Sequence, residues 1–191
     1  MSGRTLARVD RRPTREQLLG ARGATVPDLV RDDLRILLVG INPSLWSGWS
    51  GYHFANPSNR LWPVLHGAGL APRRLRPEET GALLAAGIGV TNLVPRATAR
   101  ADELERHEIA AGPARVAAVA ERHAPGVVAV LGLTAWRLAT GDRTASVGPQ
   151  PVRLGGRPVW LLPNPSGLNA GWPLPRLIEA YAALGRTGRS G

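Results

Sequence analysis

The sequence contains no lysine and no cysteine. Without cysteine there is no disulfide, no thiol nucleophile and no Cys-ligated zinc or iron–sulfur centre. Without lysine there is no side-chain amine for a Schiff base and no Walker-A phosphate loop. Long apolar runs are missing too; none approaches the ~20 residues of a bilayer span. The N-terminal stretch is basic but lacks the apolar centre of a signal peptide. These absences predict a cytoplasmic chain with no membrane partner.

Acidic residues are few: 14 Asp and Glu stand against 24 basic residues, all Arg, for a formal net charge of +10. Such a charge favours a polyanionic partner, nucleic acid before membrane. Compositional bias in a chain rich in Arg, Ala, Gly and Pro competes with that explanation. A length of 191 residues suits one domain with a real core. Residues 1–25, with six Arg and two acids, predict a basic flexible arm. Residues 26–184 form the single domain, and 185–191 a frayed tail.

Four short apolar runs bounded by Gly, Pro or Asn predict buried strands: 36–39, 88–91, 127–131 and 159–162. Helical patterns lie between and after them, at 59–68, 78–86, 103–123 with a break at Gly112-Pro113, 134–140 and 174–184. In the last, Leu174, Leu177, Ile178, Tyr181 and Leu184 share a stripe. Strands alternating with helices argue for an α/β fold on a parallel sheet covered on both faces. Ligands in such sheets bind beyond the carboxyl ends of the strands.

Two unusual stretches sit at such ends. Residues 40–60, GINPSLWSGWSGYHFANPSNR, are polar and aromatic and contain no carboxylate. Long loops in compact domains usually carry function. Residues 164–172, NPSGLNAGW, place an apolar Leu among small polar residues. Ordinary turn chemistry accounts for one Asn-Pro or Ser-Gly, but less readily for two such loops at neighbouring strand ends. The three remaining histidines, His66, His107 and His123, have no metal-ligand spacing.

The segments GINPSLWSGWSGYHFANPSNRLW and NPSGL, with GVTNLV at 89–94 between them, resemble the mismatch-specific uracil-DNA and thymine-DNA glycosylase family. The resemblance runs collinearly from about Val26 to Leu184 and implies a three-layer α/β/α sandwich on a short, mostly parallel sheet. It implies a monofunctional enzyme that hydrolyses the N-glycosidic bond of uracil, or of thymine and related pyrimidines, in double-stranded DNA opposite guanine. A monomer acting in a bacterial-type cytoplasm and nucleoid is expected. No metal and no organic cofactor is implied.

The resemblance assigns the residues as follows. Asn42 is the catalytic candidate, its amide oxygen accepting a hydrogen bond from the attacking water. Phe54 stacks on the flipped base, and the main-chain N–H groups of Ile41 and Phe54 face the leaving anion. Ser47 lines the pyrimidine C5 edge, Asn164 borders the same pocket, and His53 is either a contact or structural. Gly167 and Leu168 form the wedge that fills the hole left in the stack. Three positions depart from the family pattern. Ser44 replaces a Gly beside Asn42, Asn169-Ala170 replaces Ser-Arg after the wedge, and Asn92 stands where some relatives carry Lys. They bear on base range and on the preference for guanine.

Two other classes compete. A non-catalytic DNA-damage-binding module would keep the wedge and lose the chemistry. A nucleotide-binding protein would need a phosphate loop, and residues 87–92 fail the G-x-G-x-x-G pattern at its last position.

Overall fold

The computed structural model describes residues 12–187. Its centre is a five-stranded sheet in the order β2-β1-β3-β5-β4. The strands are β1 (Ile36–Gly40), β2 (Ile88–Asn92), β3 (Val127–Leu131), β4 (Gly148–Leu154) and β5 (Arg157–Leu162). The first, second, third and fifth run parallel; β4 pairs antiparallel with β5 at the edge. The helices are α1 (Arg15–Leu19), α2 (Leu45–Ser50), α3 (Leu61–Gly67), α4 (Thr80–Ala85), α5 (Arg106–His123), α6 (Leu133–Thr140) and α7 (Leu174–Thr187).

The alternation of side chains along β1 builds the layers. Ile36 and Leu38 join α3, α4 and α7 in one apolar cluster through Leu61, Leu83 and Leu177. Leu37 and Val39 join α5 and α6 in the other through Val116, Ala120 and Trp136. The fold is therefore an α/β sandwich with helices on both faces. The chain leaves interior strand β1 for β2 on one side and crosses to β3 on the other, which makes the β1–β3 boundary a topological switch point.

Four sequence expectations need correction. Strand β4 was not expected, because GPQPVRL carries two prolines and little apolar pattern; an edge strand tolerates both. The predicted break in α5 is absent: the helix runs 18 residues through Pro113. Gly112 lies so close to Leu93 that an added Cβ would stand 2.8 Å from the Leu93 Cβ, and the helix packs there without interruption at the following proline. The basic arm is not free throughout 1–25. Thr14 caps α1 with a full capping box, Ala21 is buried, and Ala24 accepts a hydrogen bond from Ala97 N at 2.8 Å. Residues 1–11 lie outside the described residues. Helix α7 continues to Thr187, past the expected start of the tail at 185, and residues 188–191 lie outside the described residues.

Candidate active site

All the loops that follow the parallel strands gather at one edge of the sheet. The stretch after β1 is not irregular throughout. Ser44 caps α2 by accepting a hydrogen bond from Ser47 N at 3.2 Å, and Gly51, at φ 80°, closes it. Ser44 holds this cap without strain, at φ −73° and ψ 166°.

The amide of Asn42 is held from one side. Its Nδ2 donates to Thr98 Oγ1 at 2.7 Å, to Arg96 O at 3.1 Å and to Pro43 O at 3.2 Å. Thr98 Oγ1 spends its own proton on Arg100 O at 2.7 Å, so towards Asn42 it can only accept. Two carbonyls and a committed hydroxyl fix the nitrogen on that side and leave Oδ1 pointing the other way, with no donor among the described residues. Asn42 is half-buried, so this oxygen is open to a water. Thr98 and Arg96, which no motif marked, hold the Asn42 amide. The one cue was their place in the short loop just beyond the end of β2.

Phe54 has φ 52°, a left-handed backbone that is rare for a bulky side chain and costs about 1–3 kcal/mol. Its carbonyl accepts from Trp62 Nε1 at 3.2 Å, and its ring lies over the end of β1. A Cβ at Gly40 would stand 3.3 Å from Phe54 Cζ and 2.5 Å from Asn92 Oδ1. Gly40 is therefore the floor on which Phe54 and Asn92 approach each other. The N–H groups of Ile41 and Phe54 have no acceptor among the described residues.

His53 and Ser47 are buried and spent on internal bonds. His53 Nε2 donates to Pro27 O at 2.9 Å, so Nδ1 accepts from Asn92 Nδ2 at 3.3 Å. Burial lowers its pKa below 6.5 and favours this neutral form. The His53 ring orients Asn92. Behind it, Arg115 donates to Asn92 O at 2.8 Å and forks onto Asp28 at 2.7 and 2.9 Å. Ser47 Oγ lies 3.2 Å from Ser44 Oγ and accepts from Ala55 N at 3.4 Å, bracing the loop.

At the end of β5 the Asn164 side chain closes a turn, accepting from Ser166 N at 3.0 Å. It sits beside Gly132, which also faces Ile41, so the ends of β1, β3 and β5 meet there. Leu168 is 89% exposed, more than any other large apolar side chain among the described residues. Gly167 lies against the first motif: a Cβ there would be 2.6 Å from Ser58 O. The site brings together Ile41, Asn42, Phe54 and Asn92, with Leu168 standing out from the neighbouring loop. No group of His, Asp and Glu among the described residues could hold a metal ion, and no described helix is long and apolar enough to cross a membrane.

Residues 27–185 match the family model described as the uracil DNA glycosylase superfamily. The fold is similar to the solution NMR structure of a candidate uracil DNA glycosylase from Methanosarcina acetivorans, with a TM-score of 0.61 and 20% sequence identity. The similarity covers 86% of this chain and 96% of that one.

Proposed function

The chain belongs to the uracil DNA glycosylase superfamily, and from that premise we propose that it is a monofunctional glycosylase of the mismatch type. It removes uracil, and with lower efficiency related pyrimidines, from double-stranded DNA opposite guanine. The reaction initiates base-excision repair and yields free base and an abasic site. The protein works as a monomer in the cytoplasm and uses no metal or organic cofactor.

An N-glycosidic bond inside a duplex is out of reach, so the nucleotide is flipped into the pocket while Leu168 fills the gap. Phe54 stacks on the base. Asn42 Oδ1 accepts a hydrogen bond from a water and aims its oxygen at the sugar C1′. As the N1–C1′ bond breaks, its electron pair leaves with the base, and the N–H groups of Ile41 and Phe54 stabilise the anion. The water oxygen bonds to C1′ and its proton passes to solvent or base. Positioning replaces general-base catalysis here, since the amide cannot take up the proton. Asn92, held by His53, reads the pyrimidine edge.

The observation that carries the reading is the one-sided tethering of Asn42, which leaves Oδ1 free above the strand ends. A non-catalytic binding module would not need that oxygen fixed. The test is a panel of duplexes with uracil, thymine, hypoxanthine or ethenocytosine opposite each normal base, scored after alkali cleavage. Uracil opposite guanine should be cut fastest; no cleavage of any member would leave the binding module.

A further inference from the structure

Arg60 stands at the start of α3, in the last position of the first motif stretch, yet its guanidinium serves the second. Nη1 donates to Trp172 O at 2.7 Å, and Nη2 donates to Ser166 O at 2.7 Å and to Asn169 O at 2.9 Å. Its main-chain N–H donates to Pro165 O at 2.9 Å. Four carbonyls of one loop therefore converge on one residue 105–112 positions earlier in the chain. Those carbonyls bracket Leu168, which itself touches little and is 89% exposed.

No carboxylate pairs with this guanidinium among the described residues, and its Nε is buried without an acceptor. An arginine kept for surface charge would not be placed so. A planar fork with five donors can span carbonyls facing different ways, whereas an ammonium is a single point. The loop's other hydrogen bonds are mostly local turns: Ser166 N donates to Asn164 Oδ1 at 3.0 Å, Leu168 N to Ser166 Oγ at 3.3 Å and Asn169 N to Ser166 O at 3.0 Å. Tyr181 Oη reaches Pro163 O at 3.1 Å at its root, so Arg60 is the side chain that ties several of its carbonyls to the first motif.

We propose that Arg60 is the positioning residue of the insertion loop. It preorganises Leu168 in the exposed posture needed to enter the base stack, and it couples the base pocket to the wedge because both hang on the same stretch of chain. The inference rests on the base-flipping reading above. Arg60 contributes to the opening of a stacked pair and not to bond cleavage. Preorganisation removes the cost of ordering the loop during the encounter.

The test compares Arg60→Ala, Arg60→Lys, Leu168→Ala and the Arg60→Ala/Leu168→Ala double variant on two uracil substrates under single turnover. One uracil is paired with guanine in a duplex; the other lies in an unpaired bubble flanked by duplex. Opening a stacked pair is required only in the first, so Arg60→Ala and Arg60→Lys should each slow it by about tenfold or more and the bubble by less than about threefold. The double variant should be no worse than the more impaired single variant by more than about twofold, since both changes remove one device. Fluorescence of 2-aminopurine beside the uracil should show a smaller opened population in each variant. Equal losses on both substrates, or losses that multiply in the double variant, would overturn the inference. If Arg60→Ala is unfolded, Arg60→Lys decides by the same comparison. Absence of wild-type excision from both substrates would instead overturn the base-flipping reading, and this inference with it.

Discussion

At the residue scale, the site is a matter of where one amide points. A motif containing Asn42 was legible in the sequence, and the resemblance supplied its role. Its orientation was not legible, because the groups that fix it lie 54 and 56 residues along the chain. Thr98→Val keeps the shape and removes the acceptor, so the amide can turn. We expect excision to slow by about tenfold to a hundredfold with little change in DNA affinity, measured by single-turnover kinetics and fluorescence anisotropy. A proportional loss of affinity would show that Thr98 only supports the loop. Gly40 offers a second check. The Cβ of Gly40→Ala would sit 2.5 Å from Asn92 Oδ1 and 3.3 Å from the Phe54 ring. Overpacking of this kind costs about 1–3 kcal/mol, so the variant should fold with a lowered Tm and lose most of its excision. Full activity would show that the Asn92–Phe54 approach is not part of the pocket. The left-handed backbone of Phe54 had no sequence signal, since strain of this kind is imposed by the surroundings.

At the scale of elements, the four parallel strands were legible because each is buried on both faces and reads as a continuous apolar run. The edge strand was not, because its outer positions are exposed and two are proline. Helix α2 hid inside a stretch read as loop; its caps, Ser44 and Gly51, were the available signal. What fixes these elements around the site is polar and acid-sensitive. Arg96, whose carbonyl holds Asn42, grips Glu108 of α5 at 2.5 and 2.6 Å. The Arg96 hydrogen bonds lower the Glu108 pKa from 4.5 to about 2. A carboxylate held lower in the fold than in the unfolded chain stabilises the fold above pH 4.5, and that contribution is lost as the pH falls through about 2. His53 adds a window at higher pH. With its pKa lowered from 6.5, the unfolded chain binds a proton that the fold refuses, so stability falls as the pH drops below 6.5. Thermal melts across this range should therefore show Tm declining from below pH 6.5 onward, and Glu108→Gln should flatten only the part of the decline below pH 4.5. An acid limb unchanged in Glu108→Gln would remove the clamp from the account.

At the scale of the whole molecule, charge and the missing lysine make the predictions. The fold class followed from the alternation of strands and helices, but the packing of 12–25 did not, because scattered contacts and no apolar run secure it: buried Ala21, a few main-chain bonds, the Arg22–Glu103 pair and the approach of Ala21 and Ala24 to Gly48. Truncation should therefore stop before α1. Removing residues 1–11 deletes Arg4, Arg8, Arg11 and Asp10. If the segment meets the phosphate backbone, the slope of log K against log salt should become shallower by about 0.9 for each phosphate no longer neutralised, with excision at saturation little changed. An unchanged slope would take the segment off the DNA. The absence of lysine leaves no side-chain amine to attack the sugar, and a guanidinium stays protonated. Borohydride added during turnover should trap no protein–DNA adduct, and strand breaks should appear only after alkali or heat; a trapped adduct would contradict a hydrolytic mechanism. The central claim is that a water held by Asn42 breaks the glycosidic bond of uracil. It is tested most directly by the single-turnover rate of uracil release from a guanine-mismatched duplex by the wild type and by Asn42→Ala, at protein concentrations that saturate both. The account predicts release by the wild type and a loss of about a hundredfold or more in the variant at nearly equal DNA affinity. Release by Asn42→Ala at close to the wild-type rate would contradict it.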